Sequence, residues 1–247
     1  MILSGHQPVY LPSMHLFNKI ALSDQFMFVG HCQYVTKSWH NRNHIRNGTQ
    51  VQTLTVPVLK TGRFGQSISE TVINGDHWKR KHLASIKNTY QKRPYFKDYF
   101  PAIEALINQP WAYLGDLNIA LILQFLEWLA IETTIVYSDQ YDIKNQKTDM
   151  LVSMCRAMEA DHYLSNEGSR AYVEEEKMFK AGIYHCWQDF HHPLYDQGNS
   201  FMPNLSIIDC LFNVGPASRA LVLSAGQVRV GKFSGQKGSD FYEIDFI

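Results

Sequence analysis

The sequence is short of the features that mark common specialised classes. Only four cysteines occur in 247 residues, Cys32, Cys155, Cys186 and Cys210, irregularly spaced and without a CxxC pair. That excludes a zinc finger or ribbon and offers no disulfide framework, so the thiols are expected to be reduced and the chain cytoplasmic. There is no excess charge, because 23 basic residues balance 23 acidic ones. The electrostatic footprint of a nucleic-acid binder is therefore missing. The local run Lys79-Arg80-Lys81-His82 reads as the solvated face of a helix. No basic segment followed by an apolar core opens the chain, so no signal peptide is expected. The longest apolar run, residues 119–130, contains Gln124 and Glu127 and is too short and polar for membrane insertion. The glycines of Thr61-Gly62-Arg63-Phe64-Gly65-Gln66 lack P-loop spacing and its Lys-Ser/Thr. With no internal repeat and no clean linker, residues 1–247 are expected to form one domain.

Among the features present, the opening 20 residues stand out. Met1-Ile2-Leu3 reads as a buried strand. His6-Gln7-Pro8-Val9-Tyr10-Leu11-Pro12 reads as a loop stiffened by two prolines, and Met14, Phe17, Ile20 and Ala21 mark a helix. Residues 24–29 form a second strand, giving a βαβ opening. Asn47-Gly48 signals a hairpin turn ahead of the alternating stretch 50–59, with Pro57 near its end. Residues 69–73 read as a further short strand. A helical middle spans about 77–131: a helix from His77 capped by Asp76, one over 95–108 split at Pro101, and a mostly buried one from Trp111. Strands at 133–137, 162–165 and 183–187 alternate with helices at 145–159 and 174–181. The expectation is an α/β fold with a mixed, mostly parallel central sheet flanked by helices. Leu205 to Gly215 is a helix with Ser206 as N-cap and Gly215 as C-cap, and 216–225 a short helix. The tail from Gly226 reads as a loosely held loop and a last strand over 241–247.

Three polar stretches carry candidate chemistry. The first is the opening loop, with His6, Gln7 and Tyr10. The second is the segment 36–46, where Asn41 and the planar fork of Arg42 suit a phosphate or carboxylate, unless it is a plain polar loop. The third, Asp189 to Gln197, joins His191 and His192 to a carboxylate, Pro193 and Tyr195, residue types that serve acid/base work. No metal-ligand spacing accompanies these histidines, so no metal or other cofactor is expected. The loop Ser165-Asn166-Glu167-Gly168-Ser169-Arg170 is balanced between an anion site and an ordinary loop. Asp209 and Asn213, four apart, share a helix face.

Together these motifs resemble the WbqC-like protein family. The resemblance rests on His6-Gln7-Pro8-x-Tyr10-Leu11-Pro12, Asn41-Arg42-Asn43 with Thr55-Val56-Pro57, His192-Pro193-x-Tyr195-x-Gln197, and Leu205-Ser206-Ile207-Ile208-Asp209-x-Leu211-Phe212-Asn213-x-Gly215. It runs in order from about residue 2 to 215. Where the family pattern carries an acidic pair after the second strand, this chain has Gly30-His31, and its Ser-Gly loop is extended over 165–169. The resemblance implies a role in bacterial surface-polysaccharide and O-antigen (lipopolysaccharide) chemistry, such as acyl or aminoacyl transfer to an amino sugar. His6 and His192 would then be the acid/base pair with Asp209 orienting one of them. Gln7, Tyr10, Asn41, Arg42, Tyr195, Gln197 and Asn213 would bind substrate. The partners would be a small sugar or acyl donor, with an acyl carrier as one form of donor. The competing readings are a hydrolase or thioesterase, with Cys32 or Cys186 as nucleophile, and a non-catalytic carbohydrate binder using Trp39 and Tyr195 as stacking platforms.

Overall fold

A computed structural model of the protein describes residues 1–143, 145–198 and 200–231. Its frame is a six-stranded sheet made of β1 (Ile2–His6), β2 (Gln25–Phe28), β5 (Thr134–Tyr137), β6 (His162–Ser165), β7 (Tyr184–Phe190) and β8 (Gly226–Val230), in the order β5-β2-β1-β6-β7-β8. Every neighbouring pair is parallel except β7 and β8. The parallel strands are short and largely apolar because helices cover both faces. Side chains alternate along them: Phe26 and Phe28 enter the core beneath α1 (Met14–Ala21), while Leu3 and Met27 pack toward α5 (Lys147–Ala157) on the opposite face.

The chain builds this sheet outward in two directions. From β1 it passes through α1 to β2 and then out to the edge strand β5; it returns through α5 to β6 on the other side of β1, and continues through α6 (Glu175–Lys180) to β7. The direction reverses between β1 and β6. In open α/β sheets, the crevice outside the carboxyl ends of the strands at such a reversal is where ligands bind.

Between β2 and β5 lies a large insertion. It consists of the hairpin β3 (Arg42–Asn47) and β4 (Gln50–Thr55), followed by α2 (His77–Tyr90), α3 (Phe96–Asn108) and α4 (Leu114–Trp128). The buried faces of these helices join the core under α1 and α7 (Ile207–Val214), ahead of α8 (Ser218–Ser224). Ser206 caps α7, its Oγ accepting from Ile208 N at 3.5 Å. Gly215 ends it at φ 57°, ψ −129°, a conformation only glycine adopts readily, with the Tyr95 ring filling the space a Cβ would need.

Several expectations needed correction. Residues 69–73 make isolated bridges rather than a strand, because Ser67, Glu70 and Thr71 close a local turn through side-chain bonds to the backbone. Pro101 does not split α3. Its ring is exposed, and the buried Phe96, Phe100, Ile103 and Ile107 hold the helix together across the missing amide. Asp76 precedes α2 without a side-chain cap bond and pairs instead with Lys79 at 2.5 Å. The start of the tail is not a loop: Gly226–Val230 is the antiparallel edge strand, with Val228 and Val230 against Ile2, Leu164 and Cys186. The strand expected at 241–247 lies outside the described residues. Among the described residues, one stretch has the length and apolarity to cross a bilayer, Ile207–Ser224. Gly215-Pro216 divides it into α7 and α8, and half of it is buried in the core.

Candidate functional site

The carbonyls of β1 define the crevice. Met1 O accepts from His162 N of β6, whereas Ile2 O and His6 O accept from Asp24 N and Val29 N on the β2 side. Carbonyls alternate along a strand, so Gly5 O faces β6. Pairing between β1 and β6 ends at Ser4↔Leu164, although β1 stays paired with β2 to His6 and β6 with β7 to Ser165. The sheet therefore opens beside Gly5. Lys19 of α1 fills the gap, donating from Nζ to Gly5 O at 2.9 Å. Lys19 is buried, with 3% of its surface exposed, and forms no ion pair with a described residue. Burial pulls its pKa down to about 7.

Histidines gather around this point. His6 ends β1, and its Nδ1 lies 2.7 Å from the Gln7 carbonyl. A carbonyl can only accept, so Nδ1 carries the proton and the neutral ring offers a lone pair on Nε2. Burial, followed by the nearby charge of Lys19, lowers the His6 pKa to about 4. His15, one turn before Lys19 on α1, is lowered to about 4 for the same two reasons, with Glu167 opposing. Gln7 Oε1 accepts from His40 Nε2 at 2.7 Å, while His40 Nδ1 accepts from Val35 N at 3.3 Å. On β7, His185 Nε2 lies 2.8 Å from Ser165 Oγ, and its ring feels both Lys19 and Arg170. Among the described residues no three His, Cys, Asp or Glu side chains are grouped as metal ligands.

Of the residues expected at a site, His6 and Gln7 lie at the crevice. His192 stands in an aromatic group with Tyr195 and Phe201, its Nδ1 3.0 Å from Pro193 O, so it too presents Nε2. Phe190 connects the two regions, touching the His15 ring on one side (4.7 Å between centroids) and the His192 ring on the other (5.9 Å). Asp209 is fully buried, and its oxygens accept from Tyr195 Oη at 2.8 Å and Tyr90 Oη at 2.9 Å rather than from either histidine. Asn213 folds back on Asp209, donating to its carbonyl at 2.6 Å. Gln197 is buried and accepts from Arg46 at 2.5 Å. Tyr10 is buried and donates to His82 Nδ1 at 2.9 Å. Asn41 donates to Val56 O at 2.6 Å, leaving its own Oδ1 buried and unpartnered, as are Arg42 Nε and the Tyr34 hydroxyl.

The motifs are wired to one another. Asn43 Nδ2 donates to the carbonyls of Tyr10 (3.3 Å) and Leu11 (2.8 Å), clamping the opening loop where Leu11 is held at φ 43°. Ser206 N donates to His44 O and Ile207 N to Pro12 O, both at 2.8 Å. Asn118 of α4 bonds Pro8 O and His40 O. Sequence reasoning missed Lys19, His15, His40 and His185. The signal for Lys19 was a lysine without an acidic neighbour inside a short apolar helix, four residues after a histidine. The thiols carry no sign of activation: burial pushes Cys155, Cys186 and Cys210 up to about 12 and raises Cys32.

The model of the WbqC-like protein family matches residues 7–221 of this chain. The uncharacterized protein Rv1507c of Mycobacterium tuberculosis is 31% identical over 212 residues, covering 85% of this chain and 92% of its own. No solved structure matches the chain.

Proposed function

The chain belongs to the WbqC-like protein family, and from that premise we propose that it is a transferase of surface-polysaccharide assembly that moves an acyl or aminoacyl group onto an amine or hydroxyl of a sugar. The observation that carries the reading is His6: a neutral imidazole at the carboxyl end of β1, fixed by its Nδ1 contact to Gln7 O, with Nε2 free to take a proton. The acceptor N–H or O–H loses its proton to Nε2 as the new bond to the acyl carbon forms. The bond from that carbon to its leaving group then breaks, and the leaving group departs with the proton. His192, with the same fixed tautomer, is the second proton carrier. Asp209 acts through Tyr195, which stacks on His192.

The unpartnered Arg42 Nε and Asn41 Oδ1 support a role for that segment in holding the donor, whether a small molecule or a group on an acyl carrier, in the cytoplasm. Tyr10 and Gln197, both buried, and the half-buried Asn213 serve as positioning groups for the loops that hold substrate. A cysteine nucleophile draws less support, because every thiol is held in its protonated form. The test is His6→Ala, assayed with acyl and aminoacyl donors and amino-sugar acceptors. A loss of about 10²–10⁴ in kcat is expected for a general base, and full retained activity would sink the assignment.

A further inference from the structure

We propose that the crevice between β1 and β6 seats an oxyanion of the substrate, a phosphate or carboxylate group, on the ammonium of Lys19. This rests on the transferase reading of the same site and deepens it by giving the substrate a charge and a place.

Gly5 O faces β6 beyond the last β1–β6 pair, so its ladder donor is gone, and Lys19 Nζ supplies a substitute. An ammonium has three donors, and among the described residues this one uses a single neutral acceptor. A buried cation without a counter-charge is unfavourable: it gives up its proton or takes a counter-ion, and burial has drawn Lys19 to about 7, where a bound anion would decide between the two. The surroundings add to the imbalance. His6 of β1, His15 of α1 and His185 of β7 all feel the Lys19 charge. The carboxylates at this end are already engaged: Glu167, near His15, is bound to Arg170, and Glu175 of α6 lies 2.6 Å from Trp187 Nε1 and 3.9 Å from His185. Arg170 brings a second cation to the rim, stacked 4.3 Å over Trp187 and sensed by His185. The location is the reversal point of an open α/β sheet.

An anion there has a consequence for catalysis. Its charge would cancel the field of Lys19 at His6 and raise the basicity of Nε2 toward neutrality, where a general base works best. The substrate would thus switch on its own base.

Sulfate and oxalate are suitable probes, because neither changes charge between about pH 6 and pH 8. Sulfate stands in for a phosphate and oxalate for a carboxylate, so the better binder identifies the group. Thermal unfolding and calorimetry on the full chain, with chloride at matched ionic strength as control, should show saturable binding of at least one of them. With the Lys19 pKa at about 7 in the free protein, affinity should weaken about tenfold between pH 6 and pH 8. Lys19→Met should abolish binding. Should that variant fail to fold, trace acetylation of the wild type followed by mass spectrometry gives the same answer, since bound anion should slow modification of Lys19. No binding to wild type at pH 6, binding that persists in Lys19→Met, or labelling of Lys19 that ignores the anion would each overturn the proposal. The assay contains no turnover, so it is read separately from the His6→Ala assay, and its failure leaves the His6 assignment standing.

Discussion

Lys19 Nζ donates to Gly5 O at 2.9 Å, at the place where β1 has parted from β6 but is still paired with β2. Burial first, and then the charge of Lys19, depresses His6 and His15. Replacing Lys19 with methionine removes that field. The pKa values of His6 and His15 should rise from about 4 but stay below the ordinary 6.5, because burial is the larger cause of both shifts. Proton NMR titration of the imidazoles in wild type and Lys19→Met measures this; unchanged values would show that the lysine charge does not reach them.

Acid should destabilise the fold early. His6, His15, His40, His82 and His185 all have pKa values lowered to about 4, first by burial. Between 6.5 and 4 the unfolded chain therefore binds more protons than the folded one. Their contribution is intact above 6.5 and is lost progressively as pH falls to about 4. Urea denaturation at pH 7 and pH 5 should show a lower midpoint at pH 5, whereas equal midpoints would contradict the buried neutral state of these rings.

The clamp on the opening loop should be costly to remove. Asn43→Ala deletes two bonds to the carbonyls of Tyr10 and Leu11 and frees a residue held at positive φ. A loss of about 1–3 kcal/mol is expected, the usual range for leaving buried groups unsatisfied. Chemical denaturation gives the value, and a change within error would mean that the prolines alone hold the loop.

Tyr195 should tune Asp209. Burial raises the Asp209 pKa, and the hydroxyls of Tyr195 and Tyr90 oppose that rise. Tyr195→Phe should push the carboxyl higher still and cost about 1.5–3 kcal/mol, the range for hydrogen bonds to charged groups. A double-mutant cycle with Asp209→Asn isolates the coupling, and additivity of the two changes would show that the bond contributes nothing.

Much of this was legible in the sequence, for identifiable reasons. The βαβ opening, the alternating strands and helices, and the Ser206 and Gly215 caps are local patterns, and each appears where its residues place it. The four family motifs were also legible, and the structure joins them through Asn43, Val56, Tyr195 and Gln197. What those motifs could not reveal is which of their residues are tied up inside the fold. Tyr10, Gln197 and Asp209 are buried and tie loops together, whereas His6 and Gln7 stand at the crevice. Lys19 and His185 escaped notice because their significance depends on where β1 and β6 separate. That is a property of strand order, and the spacing of residues along the chain does not contain it. The edge strand β8 escaped for a similar reason: Gly226-Gln227-Val228-Arg229-Val230 becomes a strand only against β7.

The central claim is that His6 is a neutral base with its proton on Nδ1 and Nε2 open. Nitrogen-15 NMR of the His6 imidazole ring nitrogens, followed from about pH 8 down to pH 4 in the wild-type protein, tests it directly. Nε2 should be unprotonated and Nδ1 protonated from pH 8 until the ring begins to charge, which should happen only near pH 4. A proton on Nε2 at neutral pH, or titration near 6.5, would contradict it.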